Sequence, residues 1–172
     1  MAGPRGAPSS HHGAHGPRVE EDDMPDGIQH GPDHIETASD PAAFADWPAG
    51  LHEEMLRNRD NGCVGTQLVS ETERVRVWHL DLAPGQRLAF HRHVNPYFWT
   101  ALTDGTARFY ASDGSHGEVA YHKGQTQHYH FGPGDSMLHT LENTGPATLS
   151  FTTVEFLDGT NPALDVPASV RL

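Results

Sequence analysis

From Thr66 onward, short apolar runs alternate with turn signals, and this pattern constrains the fold more than any other feature of the 172-residue chain. The runs are rich in β-branched and aromatic residues, recur roughly every ten residues and have no helical stretch between them. The predicted strands cover residues 74–82, 87–94, 97–103, 107–111, 117–122, 126–131, 136–142 and 147–156. Gly, Pro, Asn and Asp occupy the gaps between them. Eight or nine such strands predict an antiparallel all-β sandwich or barrel.

The segments around these strands predict one folded domain with extensions. Residues 1–45 are rich in Gly, Pro, His and acidic residues and almost lack branched aliphatics, which predicts a disordered tail. Residues 46–65 form a lead-in with one short helix over 47–58. The β domain is predicted over residues 66–160, and residues 161–172 form a C-terminal extension that returns across a sheet edge.

Composition narrows the classes of partner. The net charge of -12 argues against a nucleic-acid surface, because such surfaces concentrate Lys and Arg. No apolar run reaches the ~20 residues of a membrane helix, and the N-terminus lacks the apolar core of a secretory signal. Cys63 is the one cysteine, so no internal disulfide forms, which fits a reducing compartment. We therefore expect a cytoplasmic protein without nucleic-acid or membrane partners.

Histidines on the predicted strands indicate a metal site. His91 and His93 are two residues apart on one strand, so both imidazoles leave the same face. Three or more converging imidazoles hold Zn, Fe, Ni, Cu or Mn. His139, on another predicted strand, is the leading third ligand. Four further strand histidines are predicted to be exposed or hydrogen-bonded instead: His79, His116, His122 and His130.

Hairpin register suggests a fourth ligand. If Pro133 and Gly134 are the central residues of a two-residue turn, His128 falls directly opposite His139. Directly opposed residues have Cβ atoms ~5 Å apart on one face of a sheet. His128 is therefore the predicted fourth ligand, and a slip of the register would substitute His130.

The tail has its own histidines, His11, His12 and His15. We interpret them as a solvated or engineered stretch in preference to a metal-binding tail. The lead-in has a run, HEEML, that begins like the HExxH pattern of zinc proteases. Leu56 stands where the second histidine of that pattern would lie, so this run predicts no zinc site.

The spacing around the two histidines resembles the first motif of the cupins, G(X)5HXH(X)3–4E(X)6G. Gly85, His91, His93 and Gly105 match it, with Phe98 at the position of the glutamate. Since phenylalanine has no donor atom, Phe98 is interpreted as a vacancy at the acidic ligand position.

The second cupin motif, G(X)5PXG(X)2H(X)3N, matches at His139 and Asn143, while Gly134 and Ser136 replace its Pro and Gly. The resemblance covers about residues 66–157. More narrowly, the runs beginning at Arg74, His139 and Phe151 are similar to small bacterial cupins of the beta-alanine degradation (BauB) type.

The resemblance implies a cupin jelly-roll β-barrel, commonly a homodimer, that holds one divalent transition metal (Fe, Zn, Ni, Mn or Cu). It implies an enzyme acting on a small polar organic substrate. Dioxygenase chemistry is the first expectation and lyase, isomerase or cyclase chemistry the second. The alternative is a non-catalytic cupin that binds a small ligand or a metal.

Three accounts of the missing glutamate remain open. A four-histidine site includes His128, a three-histidine site leaves positions for water, substrate or dioxygen, and an empty barrel acts as a binding module. The sequence favours a metal, with His128 filling the vacancy. Tyr97 is a candidate acid or base, ligand or pocket wall, and Arg87 a candidate carboxylate clamp near the mouth.

Overall fold

Two antiparallel β-sheets form the body of the protein in a computed structural model that describes residues 35–172. The nine strands of the described residues are β1 Gln67–Glu71, β2 Val75–Leu82, β3 Arg87–His93, β4 Tyr97–Ala101, β5 Gly105–Tyr110, β6 His116–Tyr121, β7 Thr126–Tyr129, β8 Met137–Asn143 and β9 Leu149–Phe156. A five-stranded sheet has the order β1-β2-β9-β4-β7, and a four-stranded sheet the order β3-β8-β5-β6. The predicted all-β class is confirmed.

All eight predicted strands form, and β1 is an addition to them. Strand β1 has one buried apolar residue, Leu68, so its apolar pattern is too weak to identify from sequence. The C-terminal extension lies along this same edge. Arg171 forms a parallel bridge with Leu68, and the backbone N–H of Leu172 donates to the Leu68 carbonyl at 3.0 Å.

One α-helix, α1 Leu51–Arg57, precedes the strands and packs on the outer face of the four-stranded sheet. Leu51 and Met55 are one turn apart and bury the same face of the helix. Gly50 begins the helix with a φ of 82°, a left-handed conformation that favours glycine, so the helix is shorter than the predicted 47–58. In the part of the chain that the structure describes, no helix is long and apolar enough to cross a membrane.

The segment before α1 also packs on this sheet. The N–H groups of Ile35 and Ala38 donate to the carbonyls of Ser136 and Ser112, at 3.1 and 2.8 Å. A 3-10 helix, Pro41–Phe44, follows and buries its Phe44 side chain. The predicted tail therefore includes a segment that makes ordered contacts, and its residues 1–34 lie outside the described residues.

Asn61 joins the lead-in to β3, which is an edge strand of the four-stranded sheet. Its side-chain Nδ2 donates to the carbonyl of Phe90 at 2.8 Å, and its own carbonyl accepts from the N–H of Arg92 at 2.7 Å. The two bonds flank His91. The lead-in thus holds the middle of β3 from the side opposite to β8.

The space between the sheets is apolar at one end. Seven buried side chains from both sheets fill this end: Leu80, Leu82, Ala101, Ala107, Leu141, Leu149 and Phe151. Polar and aromatic side chains, including His91, His93 and Tyr97, occupy the interior at the other end. The apolar end therefore stabilises the sandwich, and the polar end carries the candidate site.

Asn143 closes the loop between β8 and β9. The side chain is fully buried, its Nδ2 donates to the carbonyls of Leu82 and Ala147 at 2.8 Å each, and its Oδ1 accepts from the N–H of Gly145 at 2.9 Å. One amide thus satisfies three backbone groups at the point where the chain passes from one sheet to the other.

We expect Asn143→Ala to lower the free energy of unfolding by about 3 kcal/mol, because it leaves buried backbone groups without partners. Urea denaturation followed by far-UV circular dichroism measures the change. Glu73→Ala, at an exposed position, is the control. Equal stability of the two variants would contradict the structural role of Asn143.

Candidate metal site

Three histidines converge because β3 pairs with β8. His91 lies directly opposite His139, and His93 lies opposite Met137 two positions further along the pair. One potential ligand atom from each histidine lies within 4.8 Å of the other two. The structure therefore brings together the three histidines of the predicted core site.

A β-bulge in β3 sets the orientation of His91. The register shifts between Leu88 and His91, and the Nδ1 of His91 lies 3.0 Å from the carbonyl oxygen of Ala89. Since a carbonyl oxygen only accepts, Nδ1 carries the proton of this bond. The Nε2 lone pair of His91 is therefore available to a metal, and the second nitrogen is fixed as in many metal-ligating histidines.

Burial keeps the three imidazoles neutral. Removal from water lowers the pKa of His91 to about 4, and the Ala89 carbonyl opposes only part of this shift. The pKa values of His93 and His139 are also held well below the usual value, by burial first and by the neighbouring histidines second. Neutral imidazole is the form that binds metals.

Two of these nitrogens lack any hydrogen bond within the described chain. They are the Nδ1 of His93 and the Nε2 of His139, and both are buried, although the His139 side chain as a whole is partly exposed. An unpaired buried polar atom is costly, and a metal ion would satisfy these atoms. The donor set thus fits a divalent transition metal.

Tyr97, and not Phe98, points into the interior beside the three histidines. Tyr97 is 3% exposed, and its ring stacks on His93 with the ring centres 4.0 Å apart. Phe98 is on the outer face of the five-stranded sheet, opposite His128 and Val154. The interpretation of Phe98 as a vacancy among the ligands is therefore wrong.

The Tyr97 ring forms a wall beside the histidines. It stacks in parallel on Tyr129, with ring centres 4.7 Å apart, and lies 6.1 Å from the ring of Phe131. Its hydroxyl lies 3.9 Å from the sulfur of Met137, a residue of the opposite sheet. Of the candidate roles for Tyr97, these contacts favour the pocket wall.

His128 lies away from the three histidines. The predicted turn does form, with the N–H of Asp135 donating to the Gly132 carbonyl at 3.1 Å. However, β7 ends before this turn and pairs with β4, while β8 belongs to the other sheet. His128 consequently lies opposite Phe98 and is exposed. The predicted pairing of His128 with His139 is wrong, because the turn connects two sheets instead of two strands of a hairpin.

Arg87 also lies outside the candidate site. Its guanidinium makes two hydrogen bonds, of 2.8 and 2.6 Å, to the carboxylate of Glu54 on α1. This pair fastens the helix to the outer face of the four-stranded sheet, so the predicted carboxylate clamp at the mouth is wrong. The four histidines expected to lie outside any site are all exposed: His79, His116, His122 and His130.

A transverse row of side chains on the five-stranded sheet faces the histidines. We call Arg76, Glu155, Tyr97 and Tyr129 the inner row, since they pair in that order across β2, β9, β4 and β7. Tyr97 contacts His93 and therefore shows which way the row faces. The next row towards the apolar end contains Trp78, Thr153, Trp99 and Gln127.

Glu155 is a buried acid of the inner row that was not among the residues predicted from the sequence. It is 3% exposed, and its Oε2 accepts a hydrogen bond of 2.7 Å from the indole N–H of Trp78. Burial raises the pKa of Glu155 to about 7, and Trp78 and Arg76 oppose this shift. The signal in the sequence is its phase in β9, where Phe151, Thr153 and Glu155 alternate onto the buried face.

The raised pKa makes Glu155 a source of pH-dependent instability. In the unfolded chain the carboxyl of Glu155 has its ordinary pKa of 4.5 and ionises near that pH. In the folded chain the same carboxyl keeps its proton to about pH 7. Stability is therefore lost as the pH rises through this interval, by about 3 kcal/mol for a shift of this size. We expect Glu155→Gln to be more stable than wild type at pH 8 and to lose this advantage near pH 4.5. Chemical denaturation at both pH values measures the difference, with Glu73→Gln as the control, and a pH-independent difference would refute it.

No protein-family model and no curated protein sequence matches the chain. Among solved structures, a cupin-domain protein from Bordetella pertussis is 18% identical, and the match covers 55% of this chain and 98% of that one with a TM-score of 0.46. A Klebsiella pneumoniae protein with a double-stranded β-helix domain is 22% identical, with 70% and 98% covered and a TM-score of 0.45. An RmlC-like cupin family protein from Methanocaldococcus jannaschii is 18% identical, with 52% and 76% covered and a TM-score of 0.43. Two of these three similar structures are described as cupins, and the third by its double-stranded β-helix domain.

Proposed function

We propose that this protein is a metal-dependent cupin enzyme in which His91, His93 and His139 hold one divalent transition metal. The observation that carries the proposal is the convergence of three neutral imidazoles, two buried and one partly exposed, with ligand atoms within 4.8 Å of one another. Two of the three have a nitrogen that lacks a partner in the described chain. Fe, Zn, Ni, Mn and Cu all accept such ligands. The proposed substrate is a small polar organic molecule.

Three neutral ligands leave a divalent ion its full charge, so the ion would act as a Lewis acid or, if redox-active, as a partner for dioxygen. Dioxygenase chemistry is the first proposal, and lyase, isomerase or cyclase chemistry the second. The chain's own residues prepare the site. The Ala89 carbonyl orients His91, and the Tyr97 ring covers one side of His93 and excludes water from it.

Metal analysis of the full chain tests the proposal, with His11, His12 and His15 replaced by Ala so that these three histidines contribute no bound metal. We expect about one metal ion per chain after incubation with Fe, Zn, Ni, Mn or Cu salts, as measured by inductively coupled plasma mass spectrometry. His91→Ala and His139→Ala should each lose at least about tenfold in affinity, because they remove one of three ligands. His128→Ala is the matched control, since the exposed His128 should be replaceable without loss.

Absence of metal from this protein under all five conditions would overturn the proposal. Equal losses in His128→Ala and His91→Ala would show that the metal binds elsewhere. A non-catalytic cupin that binds a small ligand is the alternative, and it predicts stoichiometric metal and ligand binding without substrate turnover or dioxygen consumption. The narrower resemblance to cupins of beta-alanine degradation remains a prediction that the same turnover assays test.

We further propose that two copies of the chain associate through the outer face of the five-stranded sheet. Five partly exposed apolar side chains form a continuous band there: Val75, Val77, Phe98, Val154 and Phe156. The band carries no charge, whereas the chain as a whole has a net charge of -12. Two copies can therefore meet at this band without bringing like charges together.

Phe98→Lys should convert the dimer into a monomer, because it buries an unpaired charge in the band. Light scattering coupled to size-exclusion chromatography measures the mass, and the metal content should stay unchanged since Phe98 is on the outer face. Ala120→Lys, at an exposed position of the other sheet, is the control. A wild-type monomer, or a Phe98→Lys dimer, would refute this interface.

A further inference from the structure

Glu155 is a buried acid that the proposed metal site leaves unused. It lies directly opposite Tyr97 in the inner row, and directly opposed residues have Cβ atoms ~5 Å apart. The Tyr97 ring in turn lies on His93, with ring centres 4.0 Å apart. Glu155 is therefore separated from a proposed metal ligand by a single side chain, on the sheet that faces the histidines.

The carboxylate of Glu155 has room for one more hydrogen-bond donor. Its Oε2 accepts from Trp78, and no residue of the described chain donates to its Oε1. Arg76, its neighbour across the strand pair, donates instead to Glu71 at 2.7 Å and to the carbonyl of Leu164 at 2.8 Å. In its ionised form, above about pH 7, the carboxylate accepts at both oxygens, so Oε1 is available to a ligand that supplies a donor.

The rest of this inner face supplies no free cation. Among the inner-facing positions of the described β2, β4, β7 and β9, Arg76 is the one basic residue, and its guanidinium is already bonded. The next row adds the uncharged Thr153 and Gln127. A carboxylate group of a ligand placed beside Glu155 would thus have no cation to bind. A hydroxyl or ammonium group in the same place would donate a hydrogen bond to Glu155.

We infer that Glu155 determines substrate specificity by accepting a hydrogen bond from a hydroxyl or ammonium group of the substrate. The inference rests on the proposed function: since three neutral ligands leave the metal ion its full charge, we assign to the metal an anionic group at the other end of the same molecule. The substrate class is a small monocarboxylate with a donor group at its far end. Dicarboxylates of the same length are excluded, because two carboxylates would be buried side by side.

Three ligands of matched length test this class: butanoate, 4-hydroxybutanoate and succinate. The full chain, with His11, His12 and His15 replaced by Ala, is loaded with cobalt(II), and its visible absorption is followed during titration at pH 8. We expect 4-hydroxybutanoate to bind roughly tenfold more tightly than butanoate and more tightly still than succinate. Glu155→Gln should bind succinate more tightly than wild type does. The same variant should prefer 4-hydroxybutanoate over butanoate by about threefold or less. Glu118→Gln, at an exposed position, is the matched control.

The outcomes separate the inference from the function on which it rests. If cobalt binds and depends on His91 but the three ligands bind with the same ratios in wild type and Glu155→Gln, the inference is wrong and the metal site stands. If cobalt does not bind, the proposed function fails and the inference fails with it. Should Glu155→Gln not fold, Glu155→Asp replaces it. The shorter acid should keep the exclusion of succinate and weaken 4-hydroxybutanoate by several-fold, and unchanged affinities for both ligands would overturn the inference.

Discussion

The pairing of β3 with β8 is the interaction on which the rest of the site depends. It places His91 opposite His139 and keeps His93 on the same face, and the bulge at Ala89 supplies the carbonyl that orients His91. Without a ligand this arrangement lowers the stability of the fold, because the imidazoles are desolvated and two of their nitrogens are unpaired in the described chain. The pairing of the strands therefore leaves unpaired nitrogens close together, and a metal ion would bind them.

The sequence was sufficient for the fold class and for the three histidines, since strand periodicity and motif spacing are local properties. The predictions from the sequence were wrong for site residues whose position depends on which strands pair. The prediction for His128 depends on a hairpin register, but the turn after β7 connects the two sheets. The placement of Phe98 at the site rests on spacing along the sequence alone, and a difference of one residue in a strand reverses the face that a side chain occupies. The role of Arg87 depends on its contact with Glu54, which is 33 residues away in the sequence and is not predicted by any local pattern.

The interior is divided along its length into an apolar part and a polar part. Leu141 and Phe151 belong to the first, and the histidines and the inner row belong to the second. This division allows the fold to bury charge-bearing groups such as Glu155 without giving up the apolar core that holds the sheets together. Glu155 and the unpaired nitrogens of His93 and His139 are destabilising groups of the polar part, as expected where function and stability compete.

Asn61 has a consequence for how the protein behaves among other chains. Strand β3 is at the edge of its sheet, and an uncovered edge is a template on which strands of another molecule can add. Asn61 occupies the Phe90 carbonyl and the Arg92 N–H on that edge. The lead-in thus protects the strand that carries two of the histidines from intermolecular pairing, and shortening the protein past this segment would expose it to aggregation.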